Sequence, residues 1–81
     1  MSRPAKHSLT LNGHRTSVSL EPEFWRAFCD LAEKSGKPIN TLAAEIDAAR
    51  GAGTGLATAI RVFVLKDLQS QLAHEGAGAK D

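Results

Sequence analysis

The sequence predicts a mainly α-helical fold opened by a short N-terminal β-ribbon. The run Arg15-Thr16-Ser17-Val18-Ser19-Leu20 alternates polar and apolar with the period of two that marks a half-buried strand. A helix start follows without a spacer: an acidic residue able to cap, Glu21, then Pro22 at the first helical position. Beyond it, apolar residues recur at three- and four-residue spacing in three stretches separated by glycine and proline.

The strand has two faces, with Thr16, Val18 and Leu20 on one and Arg15, Ser17 and Ser19 on the other. Upstream, Ser8 to Leu11 alternates again, and Asn12-Gly13 separates the two runs. Asn-Gly is the strongest short hairpin signal because both residues tolerate the positive φ of a type I′ turn. With these two as the loop, Leu11 pairs with His14 and Leu9 with Thr16. Both leucines then share the face of Val18 and Leu20, while Ser8 and Thr10 fall beside Ser17 and Arg15. The expectation is a strand over 8–11, a second over 15–20, and a flexible basic tail over 1–7.

A first helix is expected over 22–35, where Phe24, Trp25, Phe28, Cys29, Leu31 and Ala32 make a broad apolar stripe. Gly36 suits the residue after the C-cap, and Pro38 blocks continuation. Asn40 stands where an N-cap belongs, ahead of Leu42, Ala43, Ile46 and Ala49, which predicts a second helix over 41–50. After Gly51-Ala52-Gly53, Thr54 can cap a third helix over 55–73, with Leu56, Ile60, Phe63, Val64, Leu68 and Leu72 on one stripe. Val62 and Leu65 lie off that stripe, so the helix is apolar nearly all round and is expected to be buried on several sides, in part by a second subunit. Residues 74–81 lack periodicity and read as a disordered tail.

At 81 residues there is room for one small domain, and chains of this size commonly rely on disulfides, metal or oligomerisation. The single cysteine, Cys29, excludes an internal disulfide framework, and no Cys/His cluster has zinc-ligand spacing. Oligomerisation remains. The most apolar window, Ala57 to Leu65, is interrupted by Arg61 and too short to span a bilayer. A cytoplasmic protein without membrane association is expected. Net charge is only +1, but all nine acids lie from Glu21 onward. Before them stand Arg3, Lys6 and Arg15 with His7 and His14, the footprint of a DNA-contacting arm and equally of a solvated tail.

The order of strand, helix, Gly36-Lys37-Pro38-Ile39-Asn40 turn and second helix resembles the ribbon-helix-helix family. The resemblance is carried by Arg15 to Leu20, Glu21-Pro22, that turn, and Leu42 with Ile46. The phrase from Gly13 to Trp25, with Ala59-Ile60-Arg61-Val62-Phe63-Val64-Leu65 downstream, is similar to a bacterial branch of small members. What the resemblance implies is a homodimer in which residues 15–20 pair antiparallel with their two-fold mate. Its implied core holds Val18, Leu20, Phe24, Trp25, Phe28, Leu42, Ile46, Ile60, Phe63 and Val64. The implied partner is double-stranded DNA, and the implied function is sequence-specific binding in transcription regulation, with a dimeric ribbon in the major groove.

On that reading Arg15, Ser17 and Ser19 contact bases. Arginine's donor fork matches O6 and N7 of guanine, and serine hydroxyls read less strictly. Lys37, Asn40, Thr41 and His14 are the expected phosphate contacts, Asn40 and Thr41 because a helix N-terminus presents unpaired N–H groups and a positive dipole end, and Lys37 as the cation next to them. Taken alone, the three strand residues also fit a merely solvated sheet face. The extra first strand and the third helix exceed a minimal ribbon-helix-helix chain. They leave an alternative: a dimeric interaction module or antitoxin-like protein that keeps the fold and holds a protein partner on the third helix or tail.

No enzyme, cofactor or metal site is expected. Gly51-Ala52-Gly53-Thr54-Gly55 lacks the Gly-Lys-Ser/Thr ending of a phosphate-binding loop and follows a helix instead of a strand. His7, His14 and His74 have no acid or thiol at triad-like spacing, and Cys29 sits within an apolar stripe as a small hydrophobe.

Overall fold

A computed structural model of the chain describes residues 3–79, with side chains described as far as His74. Two strands, β1 (Ala5–Leu11) and β2 (His14–Leu20), are followed by three helices, α1 (Pro22–Lys34), α2 (Ile39–Ala49) and α3 (Leu56–Ala79). The strands form an antiparallel hairpin with Leu11 opposite His14, Leu9 opposite Thr16 and Ala5 opposite Leu20. Asn12 and Gly13 make the turn at φ 52° and 86°, so the expected register holds.

The ribbon is longer than expected. β1 begins at Ala5, so residues 5–7, assigned above to a tail, belong to the sheet, while Met1 and Ser2 lie outside the described residues. Lys6 and His7 continue the alternation. The His7 ring also stacks on the Trp25 indole, with centroids 3.9 Å apart and planes 5° from parallel, which docks the start of β1 onto α1.

Helix α1 opens at Pro22 after Glu21, whose carbonyl accepts the Trp25 N–H at 2.9 Å. It ends in a Schellman motif. The Lys37 N–H donates to the Ala32 carbonyl at 2.9 Å and the Gly36 N–H to the Glu33 carbonyl at 3.0 Å, with Gly36 at φ 69°.

Three expected caps are not used as such. The Glu21 side chain makes no cap bond to α1 and turns to Arg61 instead. Asn40 is not the N-cap of α2: that place falls to Pro38, whose extended backbone already suits it, and whose carbonyl accepts the Leu42 N–H at 3.1 Å. Asn40 is thereby moved into the first helical turn, and its Oδ1 accepts the Thr10 N–H at 3.0 Å. Thr54 likewise precedes the start of α3, where the Gly55 carbonyl accepts the Ala59 N–H at 3.0 Å.

Helix α3 continues through residues 74–79, which were expected to be a disordered tail; Lys80 and Asp81 lie outside the described residues. No proline stops it, and Ala73, Glu75, Ala77 and Ala79 favour helix. At about 1.5 Å per residue, the 24 residues of α3 run about 36 Å.

The core lies between the ribbon and the helices. Leu9, Leu11, Val18 and Leu20 enter it from the sheet, Phe28, Leu31 and Ala32 from α1, Leu42, Ala43 and Ile46 from α2, and Ile60 and Val64 from α3. No polar or charged side chain is buried among the described residues. Burying each larger member contributes roughly 1.5–3 kcal/mol.

Phe24 and Trp25 pack partly buried against this core, and Phe63, expected in the core of a dimer, is 36% exposed in the single chain. Phe63 sits at the edge of a groove with Leu42, Ile46 and Ala49. The inward side of α3 is narrow, and Val62, Leu65, Leu68 and Leu72 also stay exposed.

Candidate nucleic-acid interface

The hairpin sorts its side chains as a period of two requires. Leu9, Leu11, Val18 and Leu20 face the helices, and Arg15, Ser17 and Ser19 stand exposed on the opposite face. The register sets Thr10 across from Arg15, Ser8 across from Ser17 and Lys6 across from Ser19, all exposed. This face is therefore polar throughout and carries a cation at each of two diagonal corners, Lys6 and Arg15.

The start of α2 lies beside the β1 edge of that face. Thr10, Asn12, Asn40, Thr41, Ala44, Glu45 and Ala48 line the cleft between them. No side chain caps α2. Its first-turn amides are thus left for an outside acceptor, a geometry suited to a phosphate. Asn40 spends its Oδ1 on Thr10 and keeps its NH₂ group as a donor.

Lys37 and His14 are placed less simply. The Lys37 ammonium pairs with Glu45 Oε1 at 2.7 Å, so a phosphate would share it with a carboxylate. His14 lies on the helix-facing side of β2, in a cleft with Thr16, Asp47 and Arg50, away from the face that carries Arg15. The structure thus brings Arg15, Ser17 and Ser19 together, sets Asn40 and Thr41 beside the same ribbon, and separates His14 from them.

Behind the site, Arg61 clasps three elements. Its Nε donates to Glu21 Oε1 at 2.9 Å, its Nη2 to the Ser19 carbonyl at 3.3 Å, and the guanidinium lies 5.9 Å from the centroid of the Phe24 ring. The Arg61 hydrogen bond holds the Glu21 carboxyl below the usual carboxylate range. Burial, with the neighbouring charge of Asp30, pushes the Cys29 thiol up, which disfavours the thiolate that a nucleophile needs. No group of three or more His, Cys, Asp or Glu able to hold a metal occurs among the described residues. No helix among them is long and apolar enough to cross a membrane.

Two features escaped the sequence reading. Lys6 belongs to the exposed face of the ribbon, and its spacing of two from Ser8 was the available signal. Arg61 was read only as an interruption of an apolar window. Its partners Glu21 and Ser19 lie 40 and 42 positions away, and no local pattern marks them.

No curated protein and no solved structure matches the chain. The description "Ribbon-helix-helix domain" matches residues 4–68, which takes in both strands, α1, α2 and the first half of α3. Proteins of that family are in general dimers that bind DNA. With its β-ribbon followed by α1 and α2, this chain belongs to the ribbon-helix-helix domain family.

Proposed function

We propose that this protein is a cytoplasmic, homodimeric, sequence-specific DNA-binding regulator of transcription that works by binding and not by catalysis. The observation that carries the reading is the division of the ribbon. One face is sealed into the core, and the other presents Arg15, Ser17 and Ser19 to solvent beside the uncapped start of α2. A two-stranded ribbon fits the major groove of B-DNA, where Arg15 is suited to guanine and the serines to neighbouring bases. Asn40 and Thr41, with Lys37 in a lesser part, are suited to the flanking phosphates.

A second subunit has apolar surface to cover. The large hydrophobic side chains left exposed among the described residues, Val62, Phe63, Leu65, Leu68 and Leu72, all lie on α3. The same surface favours the second reading, a module that binds another protein through α3.

Selection from a random duplex library, followed by titration at several salt concentrations, separates the two. Affinity should fall steeply with salt. Arg15→Ala should relax sequence preference, whereas Lys37→Ala should weaken all sequences alike. Failure to bind any duplex at low salt refutes the DNA reading and leaves the protein partner.

A further inference from the structure

Arg61 reaches from α3 to the place where β2 gives way to α1. Its Nε donates to Glu21 Oε1 at 2.9 Å, its Nη2 donates to the Ser19 carbonyl at 3.3 Å, and its guanidinium lies 5.9 Å from the centroid of the Phe24 ring. Ser19 stands on the exposed face of β2 with Arg15 and Ser17. We infer that Arg61 is a positioning residue for base recognition, which sets where the Ser19 hydroxyl meets a base by holding the backbone that carries it. The inference rests on the DNA-binding reading above.

The two ends of the ribbon are held differently. At one end the Asn12-Gly13 turn joins the strands covalently. At the other, Ser19 stands opposite Lys6, one pair short of the final Ala5–Leu20 pair, where no loop joins the strands and the twist of a two-stranded ribbon is least constrained. There the His7 stack on Trp25 docks β1, and the buried Leu20 anchors β2 from its inner face. Arg61 adds a hold on β2 through Ser19 itself.

The arginine has a fixed base from which to act. Its neighbour Ile60 and Val64, one turn on, are both fully enclosed in the core, so the backbone of α3 at this point cannot drift. Its planar fork presents Nε and Nη2 in a set relation, which ties the Ser19 carbonyl and the Glu21 carboxylate to one rigid group. A carbonyl oxygen has two lone pairs, so the bond to Ser19 leaves one for a neighbouring strand. The clasp makes no demand on where a second copy is placed.

Serine is the side chain for which this hold matters. Its hydroxyl is one rotatable bond from the backbone and has three staggered positions, so a shift of the strand passes directly to it. Arg15 lies four residues away, about 13 Å towards the turn, and its long stem can re-aim the guanidinium. Loss of the clasp should therefore show at the base that Ser19 reads and spare the base that Arg15 reads.

The test uses the full chain and every single-base variant of the tightest sequence selected from a random duplex library. Arg61→Met keeps the stem and removes the clasp, and Arg61→Lys keeps a cation against Glu21 without the fork, so that a folded variant is in hand. They are compared with Ser19→Ala, Arg15→Ala, the Arg61→Met/Ser19→Ala double variant, and Ile60→Val, a core change that lowers stability and leaves the clasp's own atoms intact. Thermal melts set a temperature at which every variant is folded. If Arg61 positions Ser19, both Arg61 variants relax the preference at the base position that Ser19→Ala relaxes, by roughly three- to tenfold, and the double variant adds no further loss. The position relaxed by Arg15→Ala then stays within about twofold of wild type, and Ile60→Val keeps every preference. If the Arg61 variants weaken all sequences alike, or match wild type at that position, the inference is overturned, while an effect of Arg15→Ala leaves the DNA-binding reading standing. The inference also falls if Ser19→Ala relaxes no position. If the wild-type chain binds no duplex, both fall.

Discussion

Arg61 Nε donates to Glu21 Oε1 at 2.9 Å, joining the middle of α3 to the start of α1 across 40 positions of sequence. The pair is mostly shielded, with 30% of the arginine and 18% of the glutamate side chain exposed. Because the fold lowers the Glu21 pKa, the clasp contributes fully above the ordinary carboxylate range near about pH 4.3, and that contribution is lost as pH falls through the lowered folded value. Glu21→Gln should therefore flatten the acid side of a plot of Tm against pH. Melts between neutral and strongly acidic pH check this, and identical acid slopes for the two proteins would refute it.

Asn40 has a structural role that can be separated from its proposed role at phosphate. Asn40→Ala removes the acceptor for the Thr10 N–H and should cost about 1 kcal/mol in urea unfolding. Asn40→Asp keeps that acceptor, so stability should change by less than about 0.5 kcal/mol. It also sets a carboxylate where a phosphate oxygen is proposed, and duplex affinity should fall by about tenfold or more at low salt. An Asn40→Asp variant that binds like the wild type would remove α2 from the phosphate interface.

His7 stacks on Trp25, yet its Nε2 is buried without a hydrogen-bond partner among the described residues. A phenyl ring keeps the stacking surface and carries no unsatisfied nitrogen. His7→Phe should therefore raise stability by about 0.5–1.5 kcal/mol, whereas His7→Ala should lower it and shift the emission of the single tryptophan. Denaturant titration followed by Trp25 fluorescence reads both. A destabilised His7→Phe would mean that the imidazole nitrogen contributes something a phenyl cannot.

Gly36 stands at φ 69°, and a Cβ placed there meets no atom within 4 Å. The cost of Gly36→Ala is thus conformational alone, about 1 kcal/mol, and Gly36→Asn should recover part of it because asparagine tolerates the left-handed region. Calorimetry on the two variants tests the order Gly, then Asn, then Ala.

Much of the ribbon was legible in the residues. Asn12-Gly13 and the alternation on either side specified the turn, the register and the face carrying Arg15, Ser17 and Ser19, because each of these follows from φ preference and a period of two. Gly36 and Pro38 ended α1 for equally local reasons. The start of β1 was misplaced because Lys6 and His7 look like tail until Trp25, 18 positions later, provides a ring to stack on.

By itself, then, the sequence determined the hairpin, the order of its elements, the stop after α1 and the apolar stripes, since these are properties of a few neighbouring residues. Only the tertiary structure decided that Asn40 would bond β1 instead of capping α2, and that Glu21 would pair with Arg61 instead of capping α1. A cap and a long-range partner compete for the same side-chain oxygen. The winner is the donor that packing brings within about 3 Å, and packing depends on the whole chain.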